Sequence, residues 1–255
     1  KLHPSSFFMR LALKIKEVIK NYDDSDIALG YLSFDLKLQD IEKFIDKKII
    51  VEYYDKKFKL TGTRNIKYQL DRYCGFYSDG KYNYMIFAQN NPNKDNNKVV
   101  CLVVKYSKNW KILGKCAIKN TNVTKYMNYT GTSMLADSGK LYIRSAREMY
   151  NGHQANITYI IRISDMKMLE KYDQIEHNKY GYVSHSFAQF LAKDGHNIIT
   201  ADHGDAFPRG VVIHDSALEK KKLVFKCVGK TGENNTGLCL GGLGVSGQSY
   251  ITVGS

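Results

Sequence analysis

Several common patterns are absent from this chain of 255 residues, and each absence excludes a class of protein. Only three prolines occur and 25% of the residues are charged, which is not the composition of a disordered or fibrous chain. No run of roughly 18 apolar residues exists, so the sequence predicts no membrane-spanning helix. The five cysteines include no Cys-x-x-Cys pair, which argues against zinc-finger and thioredoxin-like sites and favours buried free thiols.

Enzyme signatures are equally scarce. The chain contains neither a Gly-x-Ser-x-Gly elbow nor a His-Glu-x-x-His motif. A Gly-x-Gly-x-x-Gly stretch spans Gly242–Gly247, but a dinucleotide site needs this motif between a strand and a helix. Here it precedes the strand-like Tyr250–Val253 instead. The sequence therefore predicts no cofactor, no metal site and no established catalytic motif.

The charge balance is strongly basic, with 38 Lys and Arg against 25 Asp and Glu, a net charge of +13. Such a balance suggests an acidic partner. The only run of basic residues is Lys220–Lys222, in a predicted turn, so the excess is spread over the surface. This distribution favours a solvated basic surface over a groove for nucleic acid.

The chain does contain a sequence motif that occurs four times. Each copy is a short apolar run, a tight turn with glycine, and a second apolar run. The turn glycines are spaced 59, 56 and 52 residues apart and are Gly80, Gly139, Gly195 and Gly247. A period of this size indicates a repeat architecture, and the β-branched and aromatic content of each copy predicts strands joined by hairpins.

Each repeat can be divided into four strands. In the third copy they are Ser186–Lys193, Asn197–Ala201, Gly210–His214 and Lys222–Val228. Four antiparallel strands in about 50 residues are typical of a β-propeller blade. We therefore predict an all-β protein with a β-propeller of four-stranded antiparallel blades over residues 46–255, formed by three full blades and a half blade at each end. Another all-β meander is the alternative.

The N-terminal residues 1–45 do not fit the repeat. Leu11–Asn21 has helical spacing and Asp40–Lys48 is a second short candidate, so a partly helical segment is predicted there. Two candidate strands, Lys48–Tyr54 and Phe58–Arg64, then precede the first full repeat. They either complete the C-terminal half blade and close a small ring, or belong to a longer propeller.

The predicted binding face lies at the edge opposite the glycine turns, because long polar loops on a rigid scaffold commonly carry function. The stretch Asp202–Arg209 joins the second and third strands of the third repeat and brings together carboxylates, an imidazole and a guanidinium. The start of the first strand shares that edge, as does the equivalent loop of the second repeat. The predicted ligand-binding residues are therefore His185, Ser186, Asp202, His203, Asp205, Arg209, Arg144 and Arg147.

Three interpretations of the Asp202–Arg209 stretch stay open. Its side chains hold the loop through internal hydrogen bonds and an Asp–Arg pair, or they contact a ligand, or they are catalytic or bind a metal. In the catalytic case His185 or His203 is the base and Arg144 or Arg209 offsets a substrate carboxylate.

The same residues carry a family resemblance. From Ser184–Phe187 through Asp202–Arg209, and on to Thr236-Gly237 and Leu240–Leu243, the chain resembles uncharacterised propeller domains of large bacterial surface proteins. The resemblance covers residues 130–255 approximately. It implies a propeller and an extracellular or cell-surface location, and it implies no reaction.

Together these observations predict a non-catalytic binding or interaction module for a glycan or a protein surface of acidic character. The alternative is a propeller-type polysaccharide hydrolase or lyase that uses the same loop face. No oligomeric state is predicted.

Overall fold

The computed structural model describes residues 29–33, 48–127, 132–173, 190–204, 209–215, 221–230 and 236–255. Their regular structure consists of 18 β-strands, and these ranges hold no helix. In the described ranges there is accordingly no helix that could cross a membrane. The helix predicted over Leu11–Asn21 lies outside the described residues. So does most of the one predicted over Asp40–Lys48, whose last residue begins a strand.

The chain divides into two compact units, Lys1–Tyr68 and Gln69–Ser255. The first contains an antiparallel sheet in the order β1-β2-β3. Its strands are β1 (Leu29–Ser33), β2 (Lys48–Tyr54) and β3 (Leu60–Lys67). The prediction for β2 is confirmed. The sequence did not predict β1, which pairs with β2 from Lys48 to Glu52. The proposed domain boundary after residue 45 remains a prediction.

The second unit contains four antiparallel sheets that follow one another along the chain. Sheet I consists of β4 (Arg72–Ser78), β5 (Asn83–Ala88), β6 (Cys101–Tyr106) and β7 (Ile112–Ile118). Sheet II consists of β8 (Lys125–Met127), β9 (Ser133–Asp137), β10 (Lys140–Glu148), β11 (Gln154–Arg162) and β12 (Lys167–Asp173). Sheet III consists of β13 (Phe190–Asp194), β14 (Asn197–Gly204), β15 (Gly210–Asp215) and β16 (Lys221–Lys226). Sheet IV consists of β17 (Leu240–Ser246) and β18 (Ser249–Gly254).

The predicted four-stranded antiparallel repeat is confirmed in sheets I, II and III. In each, four consecutive strands pair with their neighbours in chain order. Sheet II carries an additional short strand, β8, which pairs with the end of β10 beside β9. The sequence did not predict β8, since three residues are too few to show an alternating pattern.

The repeated motif is the hairpin between the first two strands of each four-stranded repeat, which in sheet II are β9 and β10 because β8 is the additional strand. Its glycines have φ angles of 85°, 75°, 59° and 56° at Gly80, Gly139, Gly195 and Gly247. Side chains with a Cβ rarely adopt this left-handed region, whereas glycine enters it without steric cost. The recurrence of glycine thus follows from the same tight turn being made four times.

Successive sheets of the second unit pack with their first strands next to each other: β4 contacts β9, β9 contacts β13, and β13 contacts β17. Among the described residues, the core between sheets I and II is the largest, with Ile86, Val103 and Ile157 completely buried. Blades follow one another in a propeller in this way. Within the described part of the chain, none of the sheets closes on itself.

Candidate functional site

The two arginines predicted for the binding face lie in a strand and not in a loop. Arg144 and Arg147 belong to β10, which continues to Glu148 and pairs with β11 along its whole length. Side chains of a strand alternate between its faces, so residues three positions apart point to opposite sides. Both arginines are completely buried. This corrects the prediction that both arginines lie in the loop of the second repeat that is equivalent to Asp202–Arg209.

Asp202 lies in β14, which likewise extends further than predicted, to Gly204. Its carboxylate is the centre of a buried polar group between sheets II and III. One oxygen, Oδ2, pairs with Nη2 of Arg144 and lies 2.8 Å from Nε2 of His214. The other, Oδ1, accepts a hydrogen bond of 2.9 Å from Nδ2 of Asn156. The side chains of Arg144, Asp202 and His214 have no accessible surface.

Two threonines extend this group. Arg144 donates from Nη1 to Oγ1 of Thr158 at 2.8 Å, and Oγ1 of Thr200 lies 2.6 Å from Nε2 of His214. The Nδ1 atom of His214 lies 2.7 Å from the backbone carbonyl of Asp215. We call this set the inter-sheet cluster; its members are Arg144, Asn156, Thr158, Thr200, Asp202 and His214. A buried charge is tolerated when it is paired and hydrogen-bonded, and Asp202 satisfies both conditions.

Sequence reasoning missed Asn156 and His214. The available signal was a polar residue inside an otherwise apolar strand, since β15 contains Val211-Val212-Ile213 directly before His214. Such a residue needs a buried partner, but the sequence does not tell which strand supplies it.

The other predicted site residues are distributed differently. Nε2 of His203 lies 2.5 Å from Oγ1 of Thr236. Arg209 is buried and donates from Nε to the carbonyl of Val228 at 2.7 Å. His185, Ser186 and Asp205 lie outside the described residues. Ligand binding by the predicted set therefore stays a prediction, and three of its members, Arg144, Arg147 and Asp202, are inaccessible to solvent in this structure.

A second polar assembly lies at the predicted loop edge, where sheets I and II meet. Its centre is the hydroxyl of Tyr150, which donates to Oδ1 of Asn96 at 2.8 Å. The same hydroxyl accepts from Nδ2 of Asn91 at 3.3 Å. The backbone N–H of Tyr150 donates to Oδ1 of Asn122 at 2.8 Å. We call these four residues the amide platform: Asn91, Asn96, Asn122 and Tyr150.

The amide platform ties three connections together. Asn91 and Asn96 belong to the connection between β5 and β6, Asn122 precedes β8, and Tyr150 lies between β10 and β11. Backbone hydrogen bonds reinforce them, from Asn91 to Thr124 at 2.7 Å and from Asn120 to Asn96 at 3.1 Å. The result is one continuous, fixed surface made by two sheets.

Basic side chains surround this surface. Lys94, Lys119 and Lys125 are exposed and Lys98 is half-buried. Two carboxylates lie near these lysines: that of Asp95, which accepts from the backbone N–H of Asn97 at 2.8 Å, and that of Glu148, which accepts from Oγ1 of Thr124 at 3.1 Å. The four lysines outnumber them, so the local charge is positive.

A cavity of about 470 Å³ lies at the other edge of the second unit. It is bounded by sheet III and by Tyr250 of β18. Its lining is mixed, with apolar Ile199, Ile213 and Val224 beside polar Asn197 and Lys222. This edge is the one that carries the glycine turns, so the cavity does not coincide with the predicted binding face.

The buried cysteines between sheets I and II do not resemble a reactive site. Burial raises the pKa of the Cys74 thiol to about 12, although the Arg72 guanidinium opposes the shift. Burial also raises the pKa of Cys116 to about 11 and that of Cys101 well above its ordinary value. A thiol is nucleophilic only as the thiolate, so these three are inert at neutral pH. In the ranges that the structure describes, no three His, Cys, Asp or Glu side chains form a group that could hold a metal ion.

Comparisons with known proteins give distant structural similarity only. No family model matches the chain, and no curated protein sequence matches it. Among solved structures, levansucrase of Bacillus subtilis is similar with a TM-score of 0.40 and 10% identity, over 84% of this chain and 68% of that one. A variant of B. megaterium levansucrase is similar with a TM-score of 0.39 and 11% identity, over 83% of this chain and 67% of that one. A GH43 protein variant of Bacillus licheniformis is similar with a TM-score of 0.24 and 11% identity, over 71% of this chain and 49% of that one. Similarity at this level assigns neither a family nor an activity to the chain.

Proposed function

We propose that this protein is a non-catalytic β-propeller module that binds an acidic glycan on the amide platform. The proposal includes the extracellular or cell-surface location that the resemblance implies. The observation that carries it is the Tyr150 hydroxyl, which accepts from Asn91 and donates to Asn96 and so fixes loops of two sheets as a single polar surface.

Rigidity is the first reason. A binding surface made of mobile loops loses conformational entropy when a ligand orders it, and a preorganised one does not. Here Asn91 is held by a backbone hydrogen bond to Thr124 as well as by Tyr150, and Asn122 accepts from the backbone N–H of Tyr150 and from Nε of Arg147. Asn122 has a φ angle of 54°, a left-handed conformation that asparagine tolerates better than most residues. The surface exists before the ligand arrives.

The chemistry of the side chains is the second reason. An amide both donates and accepts hydrogen bonds, as a sugar hydroxyl does, so exposed Asn96 and its exposed neighbours Asn90 and Asn97 match a polyhydroxyl ligand. The half-buried ring of Tyr150 adds an apolar face on which a sugar ring can lie.

The charge and the lack of apolar anchors distinguish the ligand class. Lys94, Lys98, Lys119 and Lys125 favour carboxylate or sulfate groups. A protein partner would need buried apolar or aromatic anchors at the centre of the interface. The large exposed apolar side chains of the described residues lie elsewhere, for example at Ile112, Leu113 and Val253. These features favour an acidic glycan over an acidic protein surface.

The same contacts weigh against the hydrolase or lyase alternative. That mechanism requires an acid and a base that can reach the substrate. Asp202 and Arg144, two of the residues it would use, are engaged with each other and with their neighbours inside the protein. His185 and Asp205 lie outside the described residues, so their roles remain predictions.

Isothermal titration calorimetry with tetragalacturonate tests the proposal, with neutral maltotetraose as the uncharged comparison. We expect binding of the uronic-acid oligosaccharide only, weakening as salt is added because exposed charges are screened. Tyr150→Phe keeps the ring and removes the bridging hydroxyl, and Lys98→Ala removes one charge of the rim. Each is expected to weaken binding about ten-fold, the equivalent of about 1.4 kcal/mol.

Lys108→Ala is the matched control, because Lys108 is an exposed lysine at the opposite edge, where it donates to Ser78. It should bind as the unmodified protein does. New reducing ends or unsaturated sugars in the mixture would establish an enzyme instead. Failure of tetragalacturonate to bind, or equal binding by all variants, would rule out the amide platform as the glycan site.

A further inference from the structure

The last strands of sheets I, II and III share a five-residue pattern: a lysine, two apolar residues, one variable residue and a second lysine. It reads Lys-Ile-Leu-Gly-Lys in residues 111–115, Lys-Met-Leu-Glu-Lys in residues 167–171 and Lys-Leu-Val-Phe-Lys in residues 222–226. These stretches lie at the beginning of β7 and β12 and in β16, each of which is the end strand of its sheet. The pattern recurs with the glycine turns and is therefore part of the repeat.

Each copy of this pattern contains a β-bulge at its third residue. In β7, Leu113 is skipped between two successive residue pairs of the ladder with β6. Leu169 of β12 and Val224 of β16 are skipped in the same way. Bulges and lysines both keep an edge strand from pairing with a strand of another chain. The backbone of these three strands is therefore a poor template for strand addition.

Edge protection explains the bulges and the lysines but not the apolar side chains. Leu113, Leu169 and Val224 are 45%, 38% and 46% exposed. The bulge itself does not need an apolar residue, because β3 of the first unit has the same bulge at Thr61. The hydroxyl of this threonine donates to the carbonyl of Tyr53 at 3.1 Å. The apolar residues at the bulges of sheets I, II and III therefore serve something other than the backbone geometry.

The copies in sheets I and II lie next to each other. β7 contacts β12, and a Cβ added to Gly114 would lie 2.8 Å from Cγ of Met166. Two exposed apolar residues directly precede Gly114, and two more follow Met166 after one lysine. We call these four residues the rim patch: Ile112, Leu113, Met168 and Leu169. An exposed apolar patch with a polar rim is typical of a surface that contacts a partner or a membrane.

The rim patch is flanked by positive charge. The lysines that begin and end the two copies are Lys111, Lys115, Lys167 and Lys171. Two carboxylates lie among them. Asp165 pairs with Arg162 at 2.8 Å, and Glu170 accepts from the hydroxyl of Tyr172. The lysines outnumber these carboxylates, so a complementary partner combines negative charge with an apolar interior.

We propose that the rim patch docks on a lipid bilayer that contains anionic phospholipids. The apolar side chains enter the boundary between headgroups and acyl chains, and the lysines contact the negative headgroups. A peptide strand fits less well, because the bulges and lysines oppose pairing along these edges. A fluid bilayer needs no strand register. This surface lies at the beginning of β7, whereas Asn122 of the amide platform follows the end of that strand, so the two sites are separate.

Flotation of the whole chain with phospholipid vesicles tests the proposal. We expect binding to phosphatidylcholine vesicles that contain about 30% phosphatidylserine, no binding to phosphatidylcholine alone, and weaker binding in high salt. Trp110 is the single tryptophan and directly precedes Lys111, so brominated acyl chains in the anionic vesicles should quench its fluorescence. Binding without quenching would place the contact elsewhere on the protein and overturn the assignment.

The double variant Leu113→Thr/Leu169→Thr removes apolar surface at two bulges, and Thr61 shows that threonine is compatible with such a bulge. It should weaken binding to anionic vesicles about ten-fold or more, because less apolar surface enters the bilayer. Val228→Thr is the matched control, since Val228 is 94% exposed and lies after the end of β16. It should bind as the unmodified protein does.

Lys111→Gln and Lys167→Gln are the further variants if the leucine substitutions lower the melting temperature. Each should weaken binding about five-fold, the effect of one basic residue near an anionic surface. Absence of binding to anionic vesicles would overturn the proposal, as would equal binding by Leu113→Thr/Leu169→Thr and Val228→Thr. A dimer in light scattering that the double leucine variant dissociates, without vesicle binding, would assign the rim patch to a second copy of the chain instead.

Discussion

Arg144 of sheet II and Asp202 of sheet III form an ion pair across the interface between their sheets, and neither side chain has accessible surface. The two residues are 58 positions apart in the sequence. Asn156 and His214 complete the coordination of the carboxylate from both sheets. The apolar core at this interface is small, with Tyr142, Ile160 and Ile198 as its buried residues. The inter-sheet cluster therefore specifies how sheets II and III face each other.

Removing the charge of Asp202 should destabilise the protein strongly. Asp202→Asn leaves the guanidinium of Arg144 buried without its counter-charge, and breaking one partner of such a pair costs about 3–5 kcal/mol. Urea unfolding followed by the single tryptophan, Trp110, measures the loss. The double variant Arg144→Met/Asp202→Asn removes both charges and is expected to recover a large part of it.

An exposed pair provides the comparison for that experiment. Arg162 and Asp165 are 2.8 Å apart on the surface, with 47% and 37% of their side chains exposed. Asp165→Asn should therefore change stability little, because solvent already screens the pair. If Asp202→Asn and Asp165→Asn behave alike, the inter-sheet cluster does not contribute to stability as described.

The buried thiols give a second prediction. Cys74, Cys101, Cys116 and Cys227 are buried and Cys239 is exposed. The pKa of Cys74 is raised to about 12 and that of Cys116 to about 11 by burial, so these thiols stay protonated far above neutral pH. With Ellman's reagent at about pH 8, we expect about one thiol to react promptly in the folded protein and the rest only after unfolding.

Cys239→Ser tests the assignment. It should remove the fast phase and leave the slow phase unchanged. A fast phase that persists in this variant would mean that one of the four buried thiols is accessible in solution.

Much of the fold could be predicted because its signals are local. The turn that contains Gly139 needs a left-handed residue, and the flanking strands alternate or are apolar, so the hairpins are visible in short windows. The ends of strands were less predictable. When each strand is considered alone, the charged residues Arg144 and Asp202 look like the start of a loop. They lie inside strands because each is the other's buried partner, 58 positions away in the sequence.

The candidate site, like the fold, was only partly predictable from the sequence. The sequence predicted that the loop edge of sheets I and II would be polar, and Asn91 and Tyr150 are there. It did not predict that they bond to each other, because the two loops approach only when sheets I and II pack together. His214 was missed for a different reason: its partner Asp202 lies on the neighbouring strand of the same sheet, and the sequence had placed Asp202 in a loop.

The ion pair between Asp137 and Lys193 gives a prediction about pH. Asp137 ends β9 of sheet II and Lys193 lies in β13 of sheet III, so the pair joins two sheets. Hydrogen bonds from Lys193 and Ser138 lower the pKa of Asp137 below its ordinary value of 3.8. A carboxyl group whose pKa is lower in the folded state stabilises the protein above 3.8, and this contribution disappears as the pH falls through the folded-state pKa.

Asp137→Asn should therefore lower the melting temperature at about pH 7, and the difference from the unmodified protein should shrink as the pH falls below 3.8 and through the folded-state pKa of the carboxyl. Differential scanning calorimetry of both proteins across this range gives the difference directly. A difference that is the same at both ends of the range would show that the side chain acts through packing and not through its charge.

Gly210 gives the last prediction, which concerns the backbone at the start of β15. Its φ angle is 145°, and a Cβ added there would lie 2.0 Å from the backbone carbonyl oxygen of Phe225. Gly210→Ala therefore forces β15 and β16 apart at the position where Gly210 pairs with Lys226. Backbone strain alone costs about 1–3 kcal/mol, and the displaced strand adds to it. Gly244→Ala is the matched control, since nothing lies within 4 Å of the added Cβ and no left-handed φ is required. Urea unfolding should show a clear loss for Gly210→Ala and little change for Gly244→Ala, whereas equal stability of the two variants would contradict the described geometry of the β15–β16 pair.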